Sequence, residues 1–202
     1  YNEGLDIHTA TAAKVFGVEP GEVTREQRSK AKEVNYGIPY GISAFGLSTR
    51  LRCSRGEAQE LIDGYNKSFP AVAGYILQQI EKAGETGYAE TMLGRRRYIP
   101  DIHARNRNVR AFAERVAVNM PIQGTQADMI KLAMIAIQHR IKASNLKSSM
   151  LLQVHDELVF EVHPDEIEDL KKLVAEEMIG ALPLTVPIEI SMDTGDNWLE
   201  AH

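Results

Sequence analysis

The sequence predicts an α+β fold, a mainly helical first part followed by a strand–helix–strand end. Three observations predict it. Capped segments with apolar residues at helical spacing follow one another from Asp6 to Ser144. Two segments, "YAETMLGRRRYIP" and "MLLQVHDELVFEV", instead read as short strands around a turn. No internal repeat or low-complexity linker interrupts the order.

The elements follow in turn. "DIHTATAAKVFG" reads as a short helix begun by Asp6 or Thr9 and stopped by Gly17. "EPGEVT" is a loop, and Thr24 with Gln27 forms a capping box that opens a helix over "REQRSKAKEVNYG". "SRGEAQELIDGYNKSF" and "PAVAGYILQQIEKAGETG" are two further helices, opened by Ser54 and Pro70. A hairpin turns around Leu93 and Gly94. Helical spacing resumes at "ARNRNVRAFAERVAVNM", is expected to break at Pro121, and continues through "GTQADMIKLAMIAIQHRIKAS". Strands are expected on either side of His155–Glu157. "HPDEIEDLKKLVAEEMIG" reads as a helix with Pro164 at its first position and acids in its first turn. "VPIEISMD" is expected as a last strand before the Trp198 tail.

The 202 residues suffice for one substantial core or two small domains, and 44% hydrophobic with 25% charged residues is ordinary for a soluble globular chain. No apolar run is long enough to span a bilayer, so no membrane partner is expected. The start at Tyr1, without a methionine or a charged-then-apolar leader, suggests a processed chain or a fragment. A single cysteine, Cys53, excludes an internal disulfide and suits a reducing, cytoplasmic setting. One Cys and six scattered His argue against a zinc site.

The net charge of −5 hides an asymmetry. Residues 1–154 carry 21 Lys and Arg against 15 Asp and Glu, whereas residues 155–202 carry 2 against 13. Seven arginines lie from Arg95 to Arg115, with only Asp101 and Glu114 among them. Such a patch fits a polyanion, or simply a solvated helix face.

Two groups of residues suggest chemistry. Arg28, Lys32, Tyr36 and Tyr40 recur every four residues, so a helix would line them along one face. Two cations followed by two aromatics suit a nucleoside triphosphate, with charge for the phosphates and rings for the base and sugar. A basic turn running into two half-buried tyrosines is the other reading. Gly37 and Pro39 should end or kink the helix, which takes Tyr40 off the stripe. The second group is His155, Asp156 and Glu157, set between two apolar runs. A tight turn there would deliver a carboxylate to a hard cation such as Mg²⁺, or would hold ordinary turn residues. Arg115, Asn119 and Gln123, joined by His155, are hydrogen-bond donors suited to the acceptors of a nucleic-acid minor groove, or to a polar cluster satisfied internally.

"RSKAKEVNYGIPYG", "ERVAVNMPIQGTQADMIKLAM" and "LLQVHDELVFE", in this order, resemble the C-terminal part of family A DNA polymerases, the bacterial DNA polymerase I group. "GLDIHTATAAKVFGV", "GRRRYIPDI" and "GDNWLEAH" extend the resemblance over essentially the whole chain. It implies a helical fingers subdomain over residues 1–118 and the C-terminal part of a palm subdomain, with a short antiparallel sheet, over residues 119–202. It further implies that Arg28, Lys32 and His8 contact the triphosphate of a dNTP, with Lys32 also a candidate proton donor to pyrophosphate. By the same resemblance Tyr36 stacks at the incoming sugar and base, Tyr40 lies beside the templating position, and Arg115, Asn119, Gln123 and His155 contact the DNA primer–template. Asp156 is implied as a catalytic, metal-binding aspartate and Glu157 as its less essential neighbour, serving two Mg²⁺ ions. In that family's chemistry one ion would activate the primer 3′-hydroxyl and the other would stabilise the leaving phosphates. The family's second aspartate lies in a strand motif upstream of "GLDIH". The chain is therefore expected to need an upstream thumb and palm segment and to be inactive alone.

Three departures stand out. Tyr36 takes the place of a common Phe, a change associated in the family with easier acceptance of dideoxynucleotides. Pro39 replaces an aliphatic residue, and Ser29 an arginine found in some relatives. A single-subunit RNA polymerase is an alternative, although its hairpin typically reads His-Asp-Ser where this chain has Glu157. A non-catalytic nucleic-acid-binding module built on the arginine patch is another.

Overall fold

The computed structural model describes residues 6–201. Five helices come first: α1 (Ile7–Phe16), α2 (Arg25–Gly37), α3 (Ala44–Leu51), α4 (Arg55–Ser68) and α5 (Pro70–Thr86). A hairpin of β1 (Tyr88–Glu90) and β2 (Arg96–Tyr98) follows, then the long α6 (Arg107–Ala143). A second hairpin, β3 (Ser149–Val154) and β4 (Glu157–Glu161), precedes α7 (Ile167–Gly180). The chain divides into two compact units between Thr125 and Gln126, a point inside α6.

Capping explains where the first helices begin and end. The Asp6 carboxylate accepts from the N–H groups of His8 and Thr9, and Gly17 closes α1 in the left-handed region at φ 66°. Thr24 with Gln27 and Ser54 with Glu57 are both complete capping boxes. The helix α3, opened by Ser43, is an element the sequence reading passed over.

In the first unit, Val34, Ile38, Leu47, Ala58 and Tyr65 form one buried cluster among α2, α3 and α4. Ala83, Ala89, Ile99, Ile102, Ala113, Ala117 and Met120 form another, in which β1 and α6 meet. In the second unit Ala133, Ile137 and Ile141 of α6 pack against Leu170, Leu173 and Val174 of α7, with Met150, Leu158 and Phe160 of the hairpin laid over them.

Three local expectations are corrected. Pro121 does not interrupt the helix: α6 runs through it. The β1–β2 hairpin docks just beyond, where the Thr125 hydroxyl accepts from Met92 N–H and donates to the Pro121 carbonyl, and Arg95 donates to the Gly124 carbonyl. The two bonds from the hairpin, and the buried neighbours Ala117 and Met120, outweigh the single helical bond that proline forfeits. "VPIEISMD" forms no strand, since β3 pairs only with β4 among the described residues. Pro164 opens a three-ten turn, Pro164–Glu166, from which α7 continues at Ile167.

Candidate functional site

The helix α2 turns Ala31 and Val34 inward and leaves Arg28, Lys32 and Tyr36 exposed on the opposite face. The first turns of α1 run along one edge of this face. Arg28 Nε donates to Asp6 Oδ2 at 2.7 Å and Nη2 to Oδ1 at 3.3 Å. The His8 ring stands 5.6 Å from the Tyr36 ring, tilted by 55°. Asn35 Nδ2 lies 3.1 Å from His8 Nδ1, and the buried Thr11 hydroxyl donates to Asn35 Oδ1 at 3.0 Å. His8, Arg28 and Tyr36 are thus linked, and Lys32 stands on the same face of α2, one turn from Arg28 and one from Tyr36. The Arg28 guanidinium, aided by the Thr9 hydroxyl, holds the Asp6 carboxyl well below the usual carboxylate range, and Asp6 in turn raises Arg28.

Tyr40 lies past the end of α2 and off the stripe, as Gly37 and Pro39 led us to expect. It lines a pocket of about 440 Å³ with Tyr36, Gly41, Ser43, Arg50 and Arg115. Gly41 has φ 75°, and a Cβ there would fall 2.7 Å from Arg115 Cγ, so glycine is what lets this loop close on α6. Because α6 is unbroken, Arg115, Asn119 and Gln123 share one face, half-buried at Arg115 and Asn119 and exposed at Gln123.

The arginine patch is partly engaged within the fold. Arg95 holds the Gly124 carbonyl, Arg96 lies 3.5 Å from Glu90 and 4.4 Å from the centre of the Tyr88 ring, and Arg110 pairs with Glu114.

In the second unit the hairpin closes on two residues, His155 and Asp156, because Val154 pairs with Glu157. Glu157 is the first residue of β4, half-buried, whereas His155 and Asp156 are exposed at the tip. His155 takes φ 54°, the positive φ that the first residue of a tight two-residue hairpin turn requires, and its carbonyl accepts from Gln153 Nε2 at 2.7 Å. Among the described residues no group of three metal-ligating side chains comes together. The tip offers the Asp156 carboxylate with Glu157 beside it. That fits part of a Mg²⁺ site, since Mg²⁺ takes one or two carboxylates and completes its shell with phosphate and water oxygens.

The DNA polymerase family A profile matches residues 1–200. The chain belongs to that family. Its family A relatives include the DNA polymerase I of Streptococcus pneumoniae serotype 4, 48% identical over 202 residues, and that of Bacillus subtilis strain 168, 49% identical over 201. Both alignments cover 100% of this chain and 23% of the relative. A solved structure described as the POL domain of Pol1 from M. smegmatis in complex with DNA primer-template and dNTP is similar at a TM-score of 0.91 and 46% identity, over 99% of this chain and 35% of that one. The chain therefore spans about a quarter of the length of these curated relatives.

The sequence reading used Asp6 only as a helix start and gave Thr11 and Asn35 no role. Asp6, two residues before His8, and Asn35, next to Tyr36, were the available signals: short polar groups flanking two candidate site residues.

Proposed function

We propose that this chain is the C-terminal part of the polymerase domain of a template-directed DNA polymerase, which adds dNTPs to a primer 3′-hydroxyl. The observation that carries the reading is the joined face of α1 and α2, where His8, Arg28, Lys32 and Tyr36 converge in a chain of family A. We assign the first unit to the fingers and the second to the palm. The boundary expected at residues 118 and 119 and the division at Thr125 both fall within α6.

In this reading Arg28 and His8 bind the triphosphate, Lys32 neutralises it and protonates the leaving pyrophosphate, and Tyr36 stacks on the sugar and base. Tyr40 and its pocket receive the templating side. Arg115, Asn119, Gln123 and His155 donate to the primer–template, testing pair geometry through acceptors common to all base pairs. Asp156, with Glu157 as neighbour, would hold Mg²⁺, which when bound supplies charge for the attacking and leaving oxygens. The second carboxylate belongs to the upstream palm segment. Leu151 and Leu152 of β3 stand exposed, which fits a sheet that such a segment extends.

Mg²⁺-dependent primer extension tests this, with the chain alone and mixed with the upstream segment of a relative. Synthesis only in the mixture, lost in Asp156→Asn, is expected. Synthesis by the chain alone would refute the second-carboxylate assignment. Incorporation of ribonucleotides in preference to dNTPs would favour the RNA polymerase alternative. Salt-sensitive DNA binding without Mg²⁺-dependent dNTP binding would reduce the chain to a binding module.

A further inference from the structure

His8 is held on the side of Nδ1. The Asn35 amide nitrogen lies 3.1 Å from it, and that same nitrogen lies 3.5 Å from the Ile7 carbonyl oxygen. The carbonyl accepts and never donates, so it fixes which end of the amide faces α1: turning the amide over would set two carbonyl oxygens against each other. The other end fits this orientation, with the Thr11 hydroxyl, 1% exposed, donating to Asn35 Oδ1 at 3.0 Å. An amide nitrogen is a donor only. Nδ1 must therefore accept, and a neutral imidazole whose Nδ1 accepts carries its proton on Nε2. The Tyr36 ring at 5.6 Å restrains the plane of the imidazole.

We propose that Asn35 is a positioning residue that sets His8 as an Nε2–H donor to a phosphate oxygen of the incoming nucleotide. The phosphate half of this rests on the triphosphate reading given above; the tautomer does not. Thr11, Asn35 and His8 form one chain of donors running outward from the buried side of α1. A phosphate oxygen accepts only, so a ring presenting a bare nitrogen lone pair would repel it, whereas Nε2–H attracts it.

The test is a long-range ¹H–¹⁵N spectrum of the ¹⁵N-histidine-labelled chain without nucleotide, at a pH where the ring is neutral. The His8 resonances should show a protonated Nε2 and an unprotonated Nδ1. In Asn35→Asp the carboxylate accepts instead of donating, so the proton should move to Nδ1. Mg²⁺-dATP affinity should then fall about fivefold to tenfold. Ser29→Asp, which adds the same charge to α2 away from His8, should lower it less. A wild-type ring protonated on Nδ1 overturns the proposal, as does a tautomer that moves in Asn35→Asp while dATP affinity matches that of Ser29→Asp. An expected tautomer in a wild-type chain that binds no dATP overturns the triphosphate reading and leaves the tautomer assignment standing.

Discussion

Arg28 Nε lies 2.7 Å from Asp6 Oδ2, and Nη2 lies 3.3 Å from Oδ1, so one carboxylate grips one edge of the guanidinium fork. The same carboxylate caps α1 through the N–H groups of His8 and Thr9. Asp6 therefore joins the first turn of α1 to the exposed face of α2 and sets His8 and Arg28 in one frame. A guanidinium has a second edge, ending in Nη1, that is suited to another oxyanion.

The two tasks of Asp6 separate by substitution. Asparagine caps a helix about as well as aspartate but carries no charge to orient Arg28, whereas alanine does neither. Asp6→Ala should lower the thermal midpoint more than Asp6→Asn, while both should weaken Mg²⁺-dATP binding by a similar factor. Melting curves and nucleotide titrations of the two variants check this. Equal midpoints would remove the cap from the explanation.

Much of this fold was legible because local chemistry decides it. The capping box at Thr24, Ser54 as a helix start, Gly17 as a helix stop and the Leu93–Gly94 turn are signals spanning a few residues, and the structure realises each of them. Pro121 was misread because its helix is held by groups distant in sequence, Met92 and Arg95 on the hairpin. "VPIEISMD" alternates like a strand, yet pairing needs a neighbouring strand, and no local pattern reports one. The stripe of Arg28, Lys32 and Tyr36 was visible as a spacing. Its links to Asp6, His8 and Asn35 cross from one helix to another, which periodicity cannot express.

Gly41 should resist any side chain. At φ 75° an L-residue is strained, and its Cβ would lie 2.7 Å from Arg115 Cγ. Gly41→Ala should cost about 1–3 kcal/mol and push Arg115 out of place. Chemical denaturation should show the loss, and primer–template affinity should fall in step with that of Arg115→Ala. Unchanged DNA binding in a destabilised Gly41→Ala would separate Arg115 from the interface.

Pro121 makes the opposite case. Alanine restores the N–H that the Ala117 carbonyl lacks, while Thr125 still donates to the carbonyl of residue 121. The helix-interior penalty of proline is about 3 kcal/mol, and proline's restriction of the unfolded chain returns up to about 1 kcal/mol of it. Pro121→Ala should therefore stabilise the chain by about 2 kcal/mol, read as a shift in denaturant midpoint at constant slope. A destabilised variant would mean that the proline shapes α6 in a way the hairpin contacts require.

Glu166 contributes a dependence on pH to the stability of the second unit. Its carboxylate accepts from the Lys147 N–H at 2.9 and 3.0 Å, and from the Ser148 N–H and hydroxyl at 2.9 and 2.7 Å. Ser148, buried, accepts in turn from the His163 N–H at 3.0 Å, so the entry to β3 is tied to the entry to α7. The Lys147 N–H and the Ser148 hydroxyl lower the carboxyl to about 2 from its ordinary 4.5. A lowered folded-state value means that the stabilisation is fully present above about 4.5 and is lost as pH falls through about 2. Urea midpoints measured across that window should fall more steeply for the wild type than for Glu166→Gln, which has no proton to gain. The two curves should converge at the acid end, where the protonated Glu166 has lost the same charge. Parallel curves would mean that the carboxylate is held as firmly in the unfolded chain as in the folded one.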